Sequence, residues 1–381
     1  MNDRVDNPDV EQLEGVDASV RRLLPTRPSR RRLLVGALAL STPAIFSARG
    51  MAQAIDTDRL APDLSRDPAG SIDDVVRHAA SLDQIHSLIV LRGGTPLIER
   101  AFHGPSLDRV ANVKSVSKTL LALLTGIAID RKAISGVDAL VLPLLGRAPT
   151  GDARDRLTVG HLLSMQTGLP STSGPRYGAW VASEDWVGYV LDAEPVDGDD
   201  REPGERFTYS TGSWHVLGAL LSRATGSSLH DLTTEWLATP LDIAIPRWER
   251  DPSGLYMGGN QMALSPRSLA RVGEMVRLRG RWEGAQVVSA DWIDRSWQPR
   301  ALSPWSGDGY GYGWFLTRIG ERFAAYGRGY GGQVLAVVPD LELTIAITSD
   351  PTRPARSDGH FGELTELMRS IATGVRARSK V

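Results

Sequence analysis

The β-type runs of this 381-residue chain sit at its two ends. Toward the N-terminal side, "SLIVLRGGTPLIERAF" holds two runs rich in Leu, Ile and Val around Arg92-Gly93-Gly94-Thr95. The paired glycines supply the positive φ that a tight hairpin turn demands. Three more runs, "RFAAYG", "GQVLAVV" and "ELTIAITS", begin at Arg322, and Pro339-Asp340 makes a turn between the last two. Between these ends, from about 130 to 285, helical periodicities alternate with Gly- and Pro-rich loops, as in "LTVGHLLSMQT", "SEDWVGYVLDA", "STGSWHVLGALLSRATG" and "SPRSLARVGEMVRLRG". A helix capped by Ser71, "SIDDVVRHAASL", precedes the first hairpin, and "FGELTELMRSIATGV" closes the chain. Strands from both ends share one sheet only if the helices between them form a lobe of their own. The pattern predicts an α+β fold: an antiparallel sheet flanked by helices (sheet lobe about residues 70–110 plus 285–381) with a helical second lobe (about 111–284). No repeat or low-complexity segment interrupts it.

The 43 Lys+Arg against 45 Asp+Glu leave no electrostatic case for nucleic acid or an anionic membrane surface. The chain has no cysteine, which excludes disulfides, thiolate metal sites, iron–sulfur clusters and a cysteine nucleophile. Its seven histidines are scattered, without an H-E-x-x-H pair, so no metal or other cofactor is expected. There is no G-x-S-x-G elbow, which argues against an α/β-hydrolase.

Residues 1–54 read as a leader. Ser29, Arg30 and Arg31 begin a twin-arginine pattern, Leu33 to Ala48 are mildly apolar, and Ala52-Gln53-Ala54 has the small residues of a cleavage site. The apolar stretch is broken by Pro43 and falls short of the roughly 20 residues of a membrane span, so no stable span is expected. The expectation is a precursor handled by the twin-arginine export machinery and a periplasmic or secreted domain over residues 55–381.

Three short stretches carry chemistry. In "ANVKSVSKTL", Ser115 and Lys118 are three apart at the start of the apolar helix "LLALLTGIAI", so their side chains share one face. Serine becomes a nucleophile when a neighbouring base takes its proton, and burial favours the neutral amine that would do so. In "PGERFTYSTGSWHVLGALL", Tyr209 precedes another apolar helix and offers a phenol for proton transfer. In "YGRGYGGQVLAVV" the glycines match G-x-G-x-x-G but lie between two strands, whereas a nucleotide loop must open a helix. Such glycines instead let a substrate approach a strand edge.

The order S-x-x-K, Y-S-x, glycine-rich strand resembles the serine β-lactamase and penicillin-binding-protein superfamily. More narrowly it is similar to class C β-lactamases, related carboxylesterases and 6-aminohexanoate-dimer hydrolases. "LTVGHLLSMQTGLP", "GGNQMALSPRSLARVGEMV", "YGYGWF" and "GYGGQVLAVVPDLELTIAI" extend the likeness over about residues 75–370. The resemblance implies a β-lactamase/transpeptidase-like fold. It implies Ser115 as the acylated nucleophile, Lys118 as the group that takes its proton and Tyr209 as a second general acid or base. The N–H groups of Ser115 and Tyr330 would form the oxyanion hole, with Gly329, Arg328 and Thr211 on the substrate side. Tyr177 and Trp180, in "STSGPRYGAW", fall in a loop that borders the site in such folds; Asp108 and Arg109 read as a surface pair.

Two departures stand out. The superfamily's Y-x-N is Tyr209-Ser210-Thr211, without its asparagine. Its K-T-G or H-T-G is Gly327-Arg328-Gly329, so the cation is shifted by one, and strand alternation points Arg328 away from the site. The expectation is an exported serine hydrolase acting on a small ester or amide. The alternatives are a β-lactamase or D-alanyl peptidase, and a catalytically silent binding protein of the same fold.

Overall fold

The computed structural model describes residues 71–194 and 202–378; the leader expected over residues 1–54 lies outside them. Gly93 (φ +54°) and Gly94 (φ +80°) turn β1 (Ile85–Arg92) into β2 (Thr95–Ala101), as the hairpin signal requires. The remaining sheet strands come late: β3 (Ala301–Leu302), β4 (Gly309–Tyr310), β5 (Phe315–Ile319), β6 (Arg322–Gly329), β7 (Gln333–Val338) and β8 (Leu343–Ser349). They form one eight-stranded sheet in the order β2-β1-β8-β7-β6-β5-β4-β3. Every pairing is antiparallel. β1 lies beside the last strand, β8, with Leu88 opposite Ile347 and Val90 opposite Ile345, so the two chain ends are joined through apolar side chains. β3, β4 and β5 escaped the sequence reading: β3 and β4 have two residues each and show no alternation, and β5, though five residues long, follows a Gly- and Tyr-rich stretch that looks like a loop.

Helix α1 (Ile72–Ser81) starts in a reciprocal capping box between Ser71 and Asp74. Helix α2 (Val116–Asp130) is buried from Val116 to Ala128, without a polar face. A helix apolar all round must be covered on every side. α2 accordingly lies between β6 and β7 of the sheet and helix α3 (Thr211–Thr225) of the helical lobe. Leu120, Leu121, Leu123 and Leu124 are all excluded from water. Truncating any of them to Ala is expected to cost about 2–5 kcal/mol.

Helix α4 (Pro266–Arg277) falls in the span expected for the helical lobe, yet it packs on β1, β7 and β8. Gly273 permits this, since a Cβ there would lie 2.6 Å from Thr344 Cγ2. The Thr344 hydroxyl then donates to Glu274 Oε2 at 2.9 Å. The C-terminal helix α5 (His360–Arg378) packs with α1. It lies on the sheet face opposite α2: in β6, Gly327 faces Thr119 of α2 and the next residue, Arg328, stacks on Phe361 of α5. Asp108 is paired with Arg267 at 2.7 Å, not with the adjacent Arg109 expected from sequence proximity.

Candidate active site

Ser115 stands at the N-cap position of α2, with φ −71° and ψ −5°. Its side chain makes no capping bond. Lys114, just before it, has φ +49°, a left-handed conformation that costs a non-glycine residue about 1 kcal/mol or more. Three hydrogen bonds hold this turn. Lys114 N–H donates to Asn112 Oδ1 (2.8 Å), Ser117 Oγ–H donates to the Lys114 carbonyl (2.5 Å), and Met262 N–H donates to Ser117 Oγ (3.1 Å).

Lys118 is one helical turn on and only 2% exposed. Its Nζ lies 3.0 Å from Ser115 Oγ, 3.3 Å from Thr211 Oγ1 and 2.9 Å from the Gly259 carbonyl. An ammonium donates to all three oxygens. A neutral amine has two N–H bonds and one lone pair. The carbonyl can only accept, so the lone pair does not face it, and Ser115 O–H lies nearer to Nζ than Thr211 O–H does. Position 259 must be glycine: it has φ +72°, and a Cβ there would lie 2.9 Å from Lys118 Cγ and 2.7 Å from Trp214 Cβ.

Tyr209 ends the segment leading into α3. Lys118 Nζ lies 5.0 Å from its ring centroid, and its ring edge meets Trp305 at 6.1 Å. Thr211, at the position of the superfamily's asparagine, shares its hydroxyl between Lys118 and Ser173 Oγ (3.0 Å). Ser115, Tyr209, Thr211, Tyr177, Arg328, Gly329 and Tyr330 all line one cleft of about 380 Å³. Trp180 is not among the lining residues; it is fully buried behind Tyr177, ring centroids 5.6 Å apart, and supports that wall.

Gly329 closes β6. A Cβ there would press into the Val113 carbonyl and lie 3.1 Å from Lys114 Cβ, so glycine lets the strand end draw against the turn that carries Ser115. Arg328 follows strand alternation. Its guanidinium carbon lies 3.7 Å from the Phe361 ring centroid, away from α2, although the residue still borders the outer end of the cleft beside Arg356. Among the described residues no acidic side chain lines the cleft. Among the described residues no group of three or more His, Asp or Glu side chains is placed to hold a metal ion. None of the helices described is long and apolar enough to cross a membrane.

Among the lining residues that sequence gave no role, Asn260 stands out. Asn260 is 4% exposed; its Nδ2–H donates to Tyr177 Oη at 3.2 Å, while its Oδ1 is buried without a hydrogen-bond partner. Buried polar atoms are nearly always paired, so an orphaned acceptor on a cleft wall is a signal. In sequence, an asparagine after Gly258-Gly259 looks like one more turn residue.

The chain is similar in sequence and fold to known proteins. The chain is 25% identical to the 6-aminohexanoate-dimer hydrolase of Paenarthrobacter ureafaciens over 363 residues, 80% of this chain and 86% of that protein. It is 22% identical to Protein flp of Staphylococcus aureus (strain MW2) over 204 residues, 47% of this chain but only 38% of that protein's length. The fold superimposes on a family VIII carboxylesterase with a TM-score of 0.59 and 18% identity, covering 77% of this chain and 96% of the other. The sequence model of the Beta-lactamase family matches residues 85–363, from the first sheet strand into the last helix. That match takes in both sheet ends, α2 and the whole cleft, and on it the chain belongs to the Beta-lactamase family and is a hydrolase of that fold.

Proposed function

We propose that this protein is a serine hydrolase that forms an acyl-enzyme at Ser115 and hydrolyses a small ester or amide. The observation that carries the reading is the 3.0 Å contact between Ser115 Oγ and Lys118 Nζ, with Lys118 withdrawn from water at the edge of a cleft shared with Tyr209. Desolvation penalises an ammonium, and an uncharged amine is the form that accepts a proton. Lys118 takes the Ser115 proton as Oγ attacks the substrate carbonyl. The Ser115 and Tyr330 N–H groups donate to the oxyanion, and losing one such donor typically costs about 10²–10³ in rate. The C–O or C–N bond breaks as Tyr209 delivers a proton to the leaving group. Water then attacks the acyl-serine and gives its proton to the Tyr209 phenolate, while the Lys118 ammonium returns its proton to Ser115 Oγ as the acyl C–O bond breaks.

The relatives include one named for the hydrolysis of an amide dimer and a fold neighbour named as a carboxylesterase. The orphaned Asn260 Oδ1 suits an amide N–H. A β-lactam or D-alanyl-peptide substrate is disfavoured, because position 327 carries no cation and α2 leaves no room for a side chain there. We further propose that residues 1–54 direct twin-arginine export to the periplasm or medium; N-terminal sequencing of the secreted form tests this. The activity is tested with short-chain p-nitrophenyl esters, a linear amide dimer and a chromogenic cephalosporin, each against wild type and Ser115→Ala. Ester or amide turnover lost in Ser115→Ala supports the reading. Serine-independent turnover, or a marked preference for the cephalosporin, contradicts it.

A further inference from the structure

A buried histidine–aspartate pair one helical turn from Thr211 takes no part in the chemistry above. His215 of α3 is fully buried, and Asp251 nearly so. His215 Nε2 lies 3.0 Å from Asp251 Oδ2, and the Gly258 N–H donates to His215 Nδ1 at 3.2 Å. An amide N–H can only donate, so Nδ1 holds a lone pair and the ring proton is on Nε2, directed at Asp251. Asp251 Oδ1 accepts from Ser253 Oγ–H (2.7 Å) and Leu255 N–H (2.8 Å), which fixes the carboxylate in its own turn. The edges of Trp180 and Trp186 hold the imidazole from the sides, at centroid distances of 5.9 and 5.3 Å. Both ring nitrogens are thus engaged, and the ring cannot rotate without losing two hydrogen bonds.

The residue that His215 grips precedes the one that holds Lys118. Gly258 lies flat on α3: a Cβ there would overlap the Trp214 carbonyl and come within 2.8 Å of His215 Cα. The next carbonyl, Gly259 O, accepts from Lys118 Nζ, and the residue after it is Asn260. No side chain of Gly258 or Gly259 can anchor this stretch. The imidazole is the side chain from α3 that does so.

We propose that His215, oriented by Asp251, is a positioning residue: through the Gly258 amide it sets the Gly259 carbonyl that aims Lys118 at Ser115. The proposal rests on the reading of Lys118 as the base. Displacing a reacting group by about 1 Å costs on the order of 10²-fold in rate.

Two variants of the full chain separate positioning from mere packing. His215→Phe keeps an aromatic ring between the two tryptophans but cannot accept the Gly258 N–H. His215→Asn loses ring packing but keeps an acceptor near the Nδ1 position. The readouts are kcat and KM, the rate of Ser115 labelling by a fluorophosphonate, and Tm. Expected is an about 10²-fold fall in kcat and in labelling rate for His215→Phe at unchanged KM. His215→Asn should stay within severalfold of wild type despite the lower Tm of the two. Activities that rank with Tm, or wild-type labelling of His215→Phe, overturn the proposal. If wild type itself is inert, the reading of Lys118 as base fails instead. Crystal structures of the variants then decide the positioning claim. The 2.9 Å contact between Lys118 Nζ and Gly259 O must persist in His215→Asn and be lost in His215→Phe, and its persistence in both overturns the claim.

Discussion

Replacing Gly327 by Ala tests how the sheet holds the helix that begins at Ser115. An ideal Cβ at 327 lies 2.5 Å from Thr119 Oγ1 and 3.5 Å from Val116 Cγ1, both on α2. The Thr119 hydroxyl is not idle: it donates to the Gly313 carbonyl at 2.8 Å. The added methyl must therefore displace that hydroxyl or push α2 off β6. Overpacking of this kind costs about 1–3 kcal/mol, and the lost hydrogen bond about 1 kcal/mol more. Alanine's smaller unfolded-state entropy returns roughly 0.4–1 kcal/mol, leaving a net loss of about 1–3 kcal/mol. Thr119→Ala alone leaves the Gly313 carbonyl unpaired, for about 1–3 kcal/mol. In the double variant the clash has no second partner, so its loss should fall short of the sum by about 1 kcal/mol or more. Urea titrations of the four proteins measure the cycle. If α2 moves instead, kcat of Gly327→Ala falls by up to about 10²-fold. Strict additivity, or a Gly327→Ala variant as stable and active as wild type, would refute the reasoning. The same contact explains why no lysine or histidine occupies this position.

Other predictions follow from single groups. Lys118→Met keeps the volume and removes the base, so ester turnover should fall by about 10²–10⁴-fold in steady-state kinetics while circular dichroism stays native. Asn260→Ala should lower kcat/KM for a linear amide by about tenfold and leave an ester of equal size nearly unchanged. Asp251 bears on acid stability. Burial alone would raise its carboxyl, but hydrogen bonds from His215, Ser253 and Leu255 outweigh burial and hold it below the ordinary range. A lowered folded value contributes stability that is present above about pH 3.9, the unfolded value, and is lost as pH falls through the folded one. Asp251→Asn should therefore flatten the fall of urea stability between about pH 5 and 2, and an unchanged acid limb would contradict the assignment.

Much of this was legible in the sequence because local signals and tertiary demands agree. Gly93-Gly94 announced the first hairpin, and the apolar repeats of 333–338 and 343–349 announced two strands buried at every position. The helix after Ser115 is apolar on all sides because it is covered on all sides. Where pairing rather than pattern decides, the sequence was silent. β5 is a strand because it pairs with β6, and β4 and β3 follow in turn, each paired to the strand before it in the sheet. α4 joins the sheet because Gly273 and Thr344 let it approach, a fact about two surfaces. Asp108 finds Arg267, 159 positions away, rather than its neighbour. The S-x-x-K and Y-S-x motifs located Ser115, Tyr209 and Thr211 on the cleft wall, and the glycine-rich strand located Arg328, Gly329 and Tyr330. Asn260 and His215 were hidden, since nothing local distinguishes an acceptor on a cleft wall, or a buried imidazole holding a loop, from ordinary turn and core residues.

The account stands on covalent chemistry at one hydroxyl. Intact-mass spectrometry of the protein with a slow acylating ester or a fluorophosphonate, followed by peptide mapping, tests it most directly. A single adduct is expected on Ser115, formed far more slowly in Lys118→Met and absent in Ser115→Ala. An adduct on another residue, or turnover with Ser115 unmodified, would contradict it.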